Sequence, residues 1–131
     1  MVQASTKWIA ETKFEGYASH SISLDGGSKA GNSPMELVLI GLCGCTASDV
    51  VTILQKKREP FTAVEVHAEA EKAADPPRVY TAIKLIYRVK GKVARKAVED
   101  AVRLSEEKYC SVAAMLNKTG KITYEIELDP K

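Results

Sequence analysis

The segment Ser33-Pro34-Met35-Glu36 and the apolar run behind it constrain this chain more than any other feature. Serine is a helix-capping residue. Proline at the first helical position sacrifices an N–H that would go unpaired there anyway, and a glutamate three residues after the cap completes a capping box. The pattern predicts a helix from Pro34 to about Lys57, with Lys56, Lys57 and Arg58 suited to its negative end and Pro60 stopping it. From Met35 to Ala47 the helix is apolar nearly all the way round, so burial on every side is expected. A chain of 131 residues rarely wraps a helix so completely by itself. A second copy of the chain is therefore expected over one face.

Around this helix the apolar period changes to two. Trp8, Ala10, Thr12 and Phe14 share one parity, Gly16 breaks the run, and Ile22 and Leu24 resume it before Asp25-Gly26-Gly27, which reads as a pair of strands with turns. Val64, Val66, Ala68 and Ala70 alternate with Glu65, His67, Glu69 and Glu71, a strand with one wet face. After the Asp75-Pro76-Pro77 turn a second strand alternates from Val79 to Val89. Lys92 to Lys108 reads as an amphipathic helix, Tyr109-Cys110-Ser111 interrupts it, and a short apolar turn runs from Val112 to Leu116. Ile122, Tyr124, Ile126 and Leu128 make the last strand. The expected order is ββαββααβ, an α+β fold in one domain spanning residues 1–131, with antiparallel sheets.

Nineteen Lys plus Arg against seventeen Asp plus Glu give a formal charge of +2, too balanced to attract nucleic acid or an anionic membrane. The start, Met1 to Ser5, has neither a basic nor an apolar signal region. The longest nearly unbroken apolar run, Leu37 to Ala47, falls short of the roughly 20 residues that span a bilayer. The expected location is the cytoplasm, where paired thiols are more often redox-active than structural.

Three cysteines are the candidate reactive groups. Cys43 and Cys45 lie two apart on a helix, about 200° apart round its axis at about 100° per residue, so they do not converge on a metal. No metal or other cofactor is expected. A helical cysteine commonly serves as a small hydrophobe. Cys45, however, has Asp49 one turn on along the same face. Cys110 sits at a break between helical segments, where a helix start would favour a thiolate.

The segment Asn32-Ser33-Pro34-Met35-Glu36-Leu37 leading into Gly44-Cys45 resembles the central-helix signature of the OsmC/Ohr family. Ser105-Glu106-Glu107-Lys108-Tyr109-Cys110-Ser111-Val112 resembles the second cysteine region of one OsmC branch, and the likeness covers nearly the whole chain. It implies an intertwined homodimer with two long central helices packed together, Gly41 and Gly44 allowing their approach. It further implies a thiol peroxidase that reduces a small organic hydroperoxide. By position Cys45 would be the peroxidatic nucleophile and Cys110 the resolving thiol. Sulfenate would give way to disulfide, and a dithiol reductant would restore both. Cys43 is left to packing.

The likeness implies two further groups, an arginine ahead of the helix and a glutamate just after the helix-start proline. No arginine precedes Arg58; Met35 follows Pro34, and Glu36 comes one later. Glu36 is nine residues before Cys45, about 180° round the helix, which also suits it to the capping box. His20, in the N-terminal strands, is the candidate replacement for the arginine, with an ordinary surface histidine as its other reading. Two functions therefore stand side by side: the hydroperoxide reductase, with Cys45, Cys110, His20 and Glu36 as site residues, and a non-peroxidase homodimer binding a small apolar or sulfur-containing ligand at its interface.

Overall fold

The computed structural model describes all residues, Met1–Lys131. Two compact units result, Met1–Ile40 and Gly41–Lys131. In the first, β1 (Ser5–Ala10), β2 (Lys13–Tyr17) and β3 (Ser21–Asp25) form an antiparallel meander. The helix α1 (Pro34–Lys56) begins here and continues into the second unit. There β4 (Phe61–Lys72), β5 (Tyr80–Gly91) and β6 (Lys121–Asp129) form a sheet with β5 in the middle. Between β5 and β6 the chain makes α2 (Arg95–Leu104), a π-helical turn at Ser105–Tyr109 and α3 (Ser111–Leu116).

The helix start forms as its residues dictate. The Ser33 N–H donates to Glu36 Oε1 at 2.8 Å and the Glu36 N–H to Ser33 Oγ at 3.1 Å, the reciprocal pair of a capping box. Before it, the Thr12 hydroxyl, then the Ala30 and Gly27 N–H groups, hold the Asp25 carboxyl down at about 2 and fix the connecting loop.

Three expectations are corrected. The first strand is two. The chain reverses at Glu11-Thr12, with Glu11 in the left-handed region at φ 52°, and the register shifts between Trp8 and Ala10. That irregularity places Trp8 opposite Phe14, so one parity persists across the turn and conceals it. Second, the C-terminal sheet is mixed: β4 pairs antiparallel with β5, but β6 lies parallel to β5. A long helical crossover separates β5 from β6, as parallel neighbours require. Third, α1 is not buried all round within one chain. Leu42, Thr46, Val50 and Leu54 form a single stripe at four-residue spacing with 0% exposure, while Val38 and Ile40 stay exposed.

By length and composition α1 is also apolar enough to cross a membrane, with mean hydropathy 2.1 over its most apolar window. The run from Leu37 to Ala47 understates this stretch because Ser48, Asp49 and Thr52 are short interruptions in a longer apolar segment. Here Thr46 and Asp49 are engaged in hydrogen bonds with residues of β5 and the π-helical turn, as in the core helix of a folded unit.

The core of the second unit comes from the α1 stripe, from Ile83, Leu85, Tyr87 and Val89 of β5, and from Val98, Ala101 and Val102 of α2. These are the β5 positions of the expected alternation and the apolar stripe of the expected helix. Gly91 ends β5 at φ +118°, and a Cβ there would meet the Pro60 carbonyl oxygen at 2.5 Å. Leu42→Ala is expected to cost about 2–5 kcal/mol in urea denaturation, the range for emptying a filled aliphatic site. Val38→Ala, at an exposed position, should change the stability of the single chain by well under half of that.

Candidate functional site: a pair of unequal thiols

Cys45 and Cys110 come together in the second unit, although 65 positions separate them in sequence. Both are free thiols, Cys45 partly exposed and Cys110 buried. The two thiols are near enough to act on each other: Cys110 acts to lower the Cys45 thiol and Cys45 to raise the Cys110 thiol. The Ser111 hydroxyl lies 3.9 Å from the same sulfur.

The π-helical turn sets this arrangement. The Cys110 N–H donates to the Ser105 carbonyl, five residues back, at 2.8 Å, and the chain then leaves the helical conformation at Cys110. Cys110 caps α3, its sulfur accepting the Ala113 N–H at 3.4 Å. The Ser111 and Val112 N–H groups, unpaired within the six-residue helix, are turned on Cys45.

The two thiols are driven apart. Burial works to raise the Cys45 thiol, but the Val112 N–H, the Cys110 thiol, the Ser111 hydroxyl and the Ser111 N–H together outweigh it and hold it below its ordinary value. Cys110 is pushed up to about 12 by burial first. The Ala113 N–H opposes this, while the neighbouring Cys45 adds to it. The helix start that the sequence associates with Cys110 thus stabilises the thiolate of its neighbour. The arrangement favours the thiolate at Cys45 more than at an ordinary cysteine, and keeps the proton on Cys110.

Sequence reasoning passed over a buried polar chain beside this pair. Thr46 Oγ1 lies 2.5 Å from the Tyr87 hydroxyl and 2.8 Å from the Ser105 hydroxyl. The Tyr87 hydroxyl donates to Glu106 Oε1 at 2.6 Å, and the Ser105 hydroxyl donates to Asp49 Oδ2 at 2.8 Å. Thr46 and Tyr87 sit in apolar patterns, and Glu106 sits in a charged run that resembles a wet helix face. The one available signal was a hydroxyl at a core position on each of three elements.

The other expected site residues belong to the first unit. His20 is exposed in the turn between β2 and β3, its carbonyl accepting the Ala18 N–H at 3.1 Å. Glu36 performs its capping role and also accepts from the Ser28 hydroxyl at 2.8 Å. Cys43 is partly buried, and burial pushes its thiol up.

Fold and site together define a small mixed α+β protein carrying a paired-thiol centre. The chain belongs to the OsmC-like family: the family model described as OsmC-like protein matches residues 26–125. It is 45% identical to Protein YhfA of Escherichia coli K12, over 97% of this chain and 98% of that protein. Among solved structures it is similar to a hypothetical protein from Aquifex aeolicus VF5, with TM-score 0.87, 32% identity and 98% of each chain covered. An organic hydroperoxide resistance protein OsmC from Legionella pneumophila shares the fold, with TM-score 0.73, 15% identity and coverage of 97% of this chain and 96% of that one.

Alkylation by iodoacetamide across pH, read by peptide mass spectrometry, tests the inequality of the thiols. Cys45 is expected to react with its midpoint below that of an ordinary thiol, because its thiolate is already favoured there. Cys110 should stay unmodified through the same range, and Ser111→Ala should move the Cys45 midpoint upward.

Proposed function

We propose that this protein reduces organic hydroperoxides through a Cys45–Cys110 dithiol cycle, a stress-related redox role in keeping with its family. The observation that carries the reading is a partly exposed Cys45, its thiol held down, beside a buried Cys110, its thiol pushed up. The Cys45 thiolate attacks the hydroperoxide oxygen. An S–O bond forms, the O–O bond breaks, and the alkoxide leaves with one proton as the alcohol. Cys110 then attacks the Cys45 sulfenic acid. The S–S bond forms, hydroxide leaves and takes the Cys110 proton as water, and a dithiol returns two electrons and two protons. In this reading Glu36 acts by fixing the start of the helix that carries Cys45.

The test treats reduced protein with one equivalent of cumene hydroperoxide and reads intact mass. Wild type is expected to lose two hydrogens, Cys110→Ser to gain one oxygen, and Cys45→Ser to stay unchanged. Wild type left unmodified by excess peroxide overturns the reading and leaves ligand binding as the function to pursue.

The proposal includes a homodimer joined along α1. Ile40 is 52% exposed within the single chain, and a Cβ at Gly41 or Gly44 would meet nothing within 4 Å. On an isolated helix, glycine to alanine adds up to about 1 kcal/mol of stability. At a close helix pair the same methyl obstructs association. Sedimentation equilibrium is expected to show a wild-type dimer that Gly41→Ala and Gly44→Ala weaken. A monomeric wild type stabilised by both substitutions refutes the dimer.

A further inference from the structure

Proton counting along the buried polar chain gives a result that the thiols alone do not. Five side chains make four successive oxygen contacts. Glu106 to Tyr87 is 2.6 Å, Tyr87 to Thr46 is 2.5 Å, and Thr46 to Ser105 and Ser105 to Asp49 are both 2.8 Å. Every one has the length of an O–H···O hydrogen bond, so each contact needs its own proton between the oxygens. Tyr87, Thr46 and Ser105 bring three hydroxyl protons, whereas an ionised carboxylate brings none. The three hydroxyl residues are each 0% exposed, so at these oxygens the shortfall is not met by bulk water. Four contacts with three protons require a fourth, carried by one of the two terminal carboxyls.

Without that proton Tyr87 donates to Glu106; with it on Glu106 the Tyr87 hydroxyl is freed for Thr46, and all four bonds run one way: Glu106 to Tyr87, to Thr46, to Ser105, to Asp49. Burial pushes the Glu106 carboxyl up, in the same direction, and outweighs the hydrogen bond from Tyr87 that acts to lower it. Tyr87 is raised too, by burial first and by Glu106 next, and remains a donor. The titratable groups facing Glu106 are Tyr87 from β5 and Cys110 ahead of α3, with Cys45 of α1 beyond it. At the other end Asp49 lines an open cavity of about 410 Å³ with Lys56, Lys57 and Tyr109. One end of the chain thus acts on the thiol pair and the other reaches solvent.

We propose that Glu106, Tyr87, Thr46, Ser105 and Asp49 form a relay whose fourth proton sits on Glu106, and that this is the proton consumed when the hydroperoxide bond breaks. The second half rests on the peroxidase reading; the first does not. The step balances as Cys45 thiolate, hydroperoxide and Glu106 carboxylic acid giving Cys45 sulfenic acid, alcohol and Glu106 carboxylate. Solvent returns the proton through Asp49. This relay is a role for side chains that the two-thiol scheme leaves unused.

Infrared spectroscopy of the reduced protein at neutral pH tests the fourth proton without reference to activity. Wild type is expected to show the carbonyl stretch of a protonated carboxylic acid, shifted in D2O. Glu106→Gln should abolish it and Glu107→Gln, at an exposed neighbour, should leave it. Asp49→Asn gives the sharper result. Its amide supplies the missing donor and reverses the chain to end on an ionised Glu106, so the band should vanish although Glu106 is intact. Absence of the band in wild type, or its survival in Glu106→Gln or Asp49→Asn, overturns the relay. A band that behaves as expected in a protein inert to hydroperoxide removes the peroxidase use and leaves the fourth proton standing. In an active protein, Glu106→Gln should slow sulfenate formation at least several-fold; an unchanged rate overturns the assignment of this proton to the cleavage step.

Discussion

Thr46 is the point on which the C-terminal unit turns. Its hydroxyl is fully buried between the Tyr87 hydroxyl of β5 and the Ser105 hydroxyl at the start of the π-helical turn. A hydroxyl in that position costs free energy unless it is paired, and pairing it on two sides fixes both the rotation and the height of α1. Cys45 is the next residue back along the helix, so the same constraint that satisfies Thr46 aims the neighbouring sulfur at the start of α3. The apolar stripe supplies the driving force for docking α1, and the hydroxyl selects one docked position among those the stripe alone would allow.

The two cysteines show how position within a fold, rather than residue type, decides thiol chemistry. Cys45 lies deep in its own helix, away from that helix's N-terminal N–H groups, yet receives the N–H groups of another. Cys110 stands at a helix start and takes one N–H, but burial and the neighbouring Cys45 outweigh it. Neutral donor beside charged acceptor is a stable division because each state favours the other: a protonated Cys110 stabilises a Cys45 thiolate, whose charge in turn holds the proton on Cys110.

Much of this was legible in the chain. The capping box, the alternation of β4 and β5 and the amphipathic face of α2 follow from local chemistry, while the pairing of Cys45 with Cys110 was implied by the family resemblance. What escaped is non-local or depends on angular register. The Glu11-Thr12 turn hid because a strand irregularity kept Trp8 and Phe14 on one face. The parallel placement of β6 depends on the direction of a crossover, on which residue periodicity is silent. Glu106 looked like part of a wet face because a 3.6-residue period was applied to a turn of wider pitch. Tyr87 occupied a core position of an alternating strand and so read as bulk, although its hydroxyl required a buried partner.

The π-helical turn has a consequence for how such a chain can change over time. Five residues close a ring between Ser105 and Cys110 that four would close in an α-helix. Loss of one residue there would permit a regular helix, a local gain, while swinging Cys110 round by about 100° and away from its partner thiol. Selection on the thiol pair therefore falls on the length of this segment more than on its composition. Glu107, Lys108 and Tyr109, all exposed, are free to drift in identity while their number stays fixed.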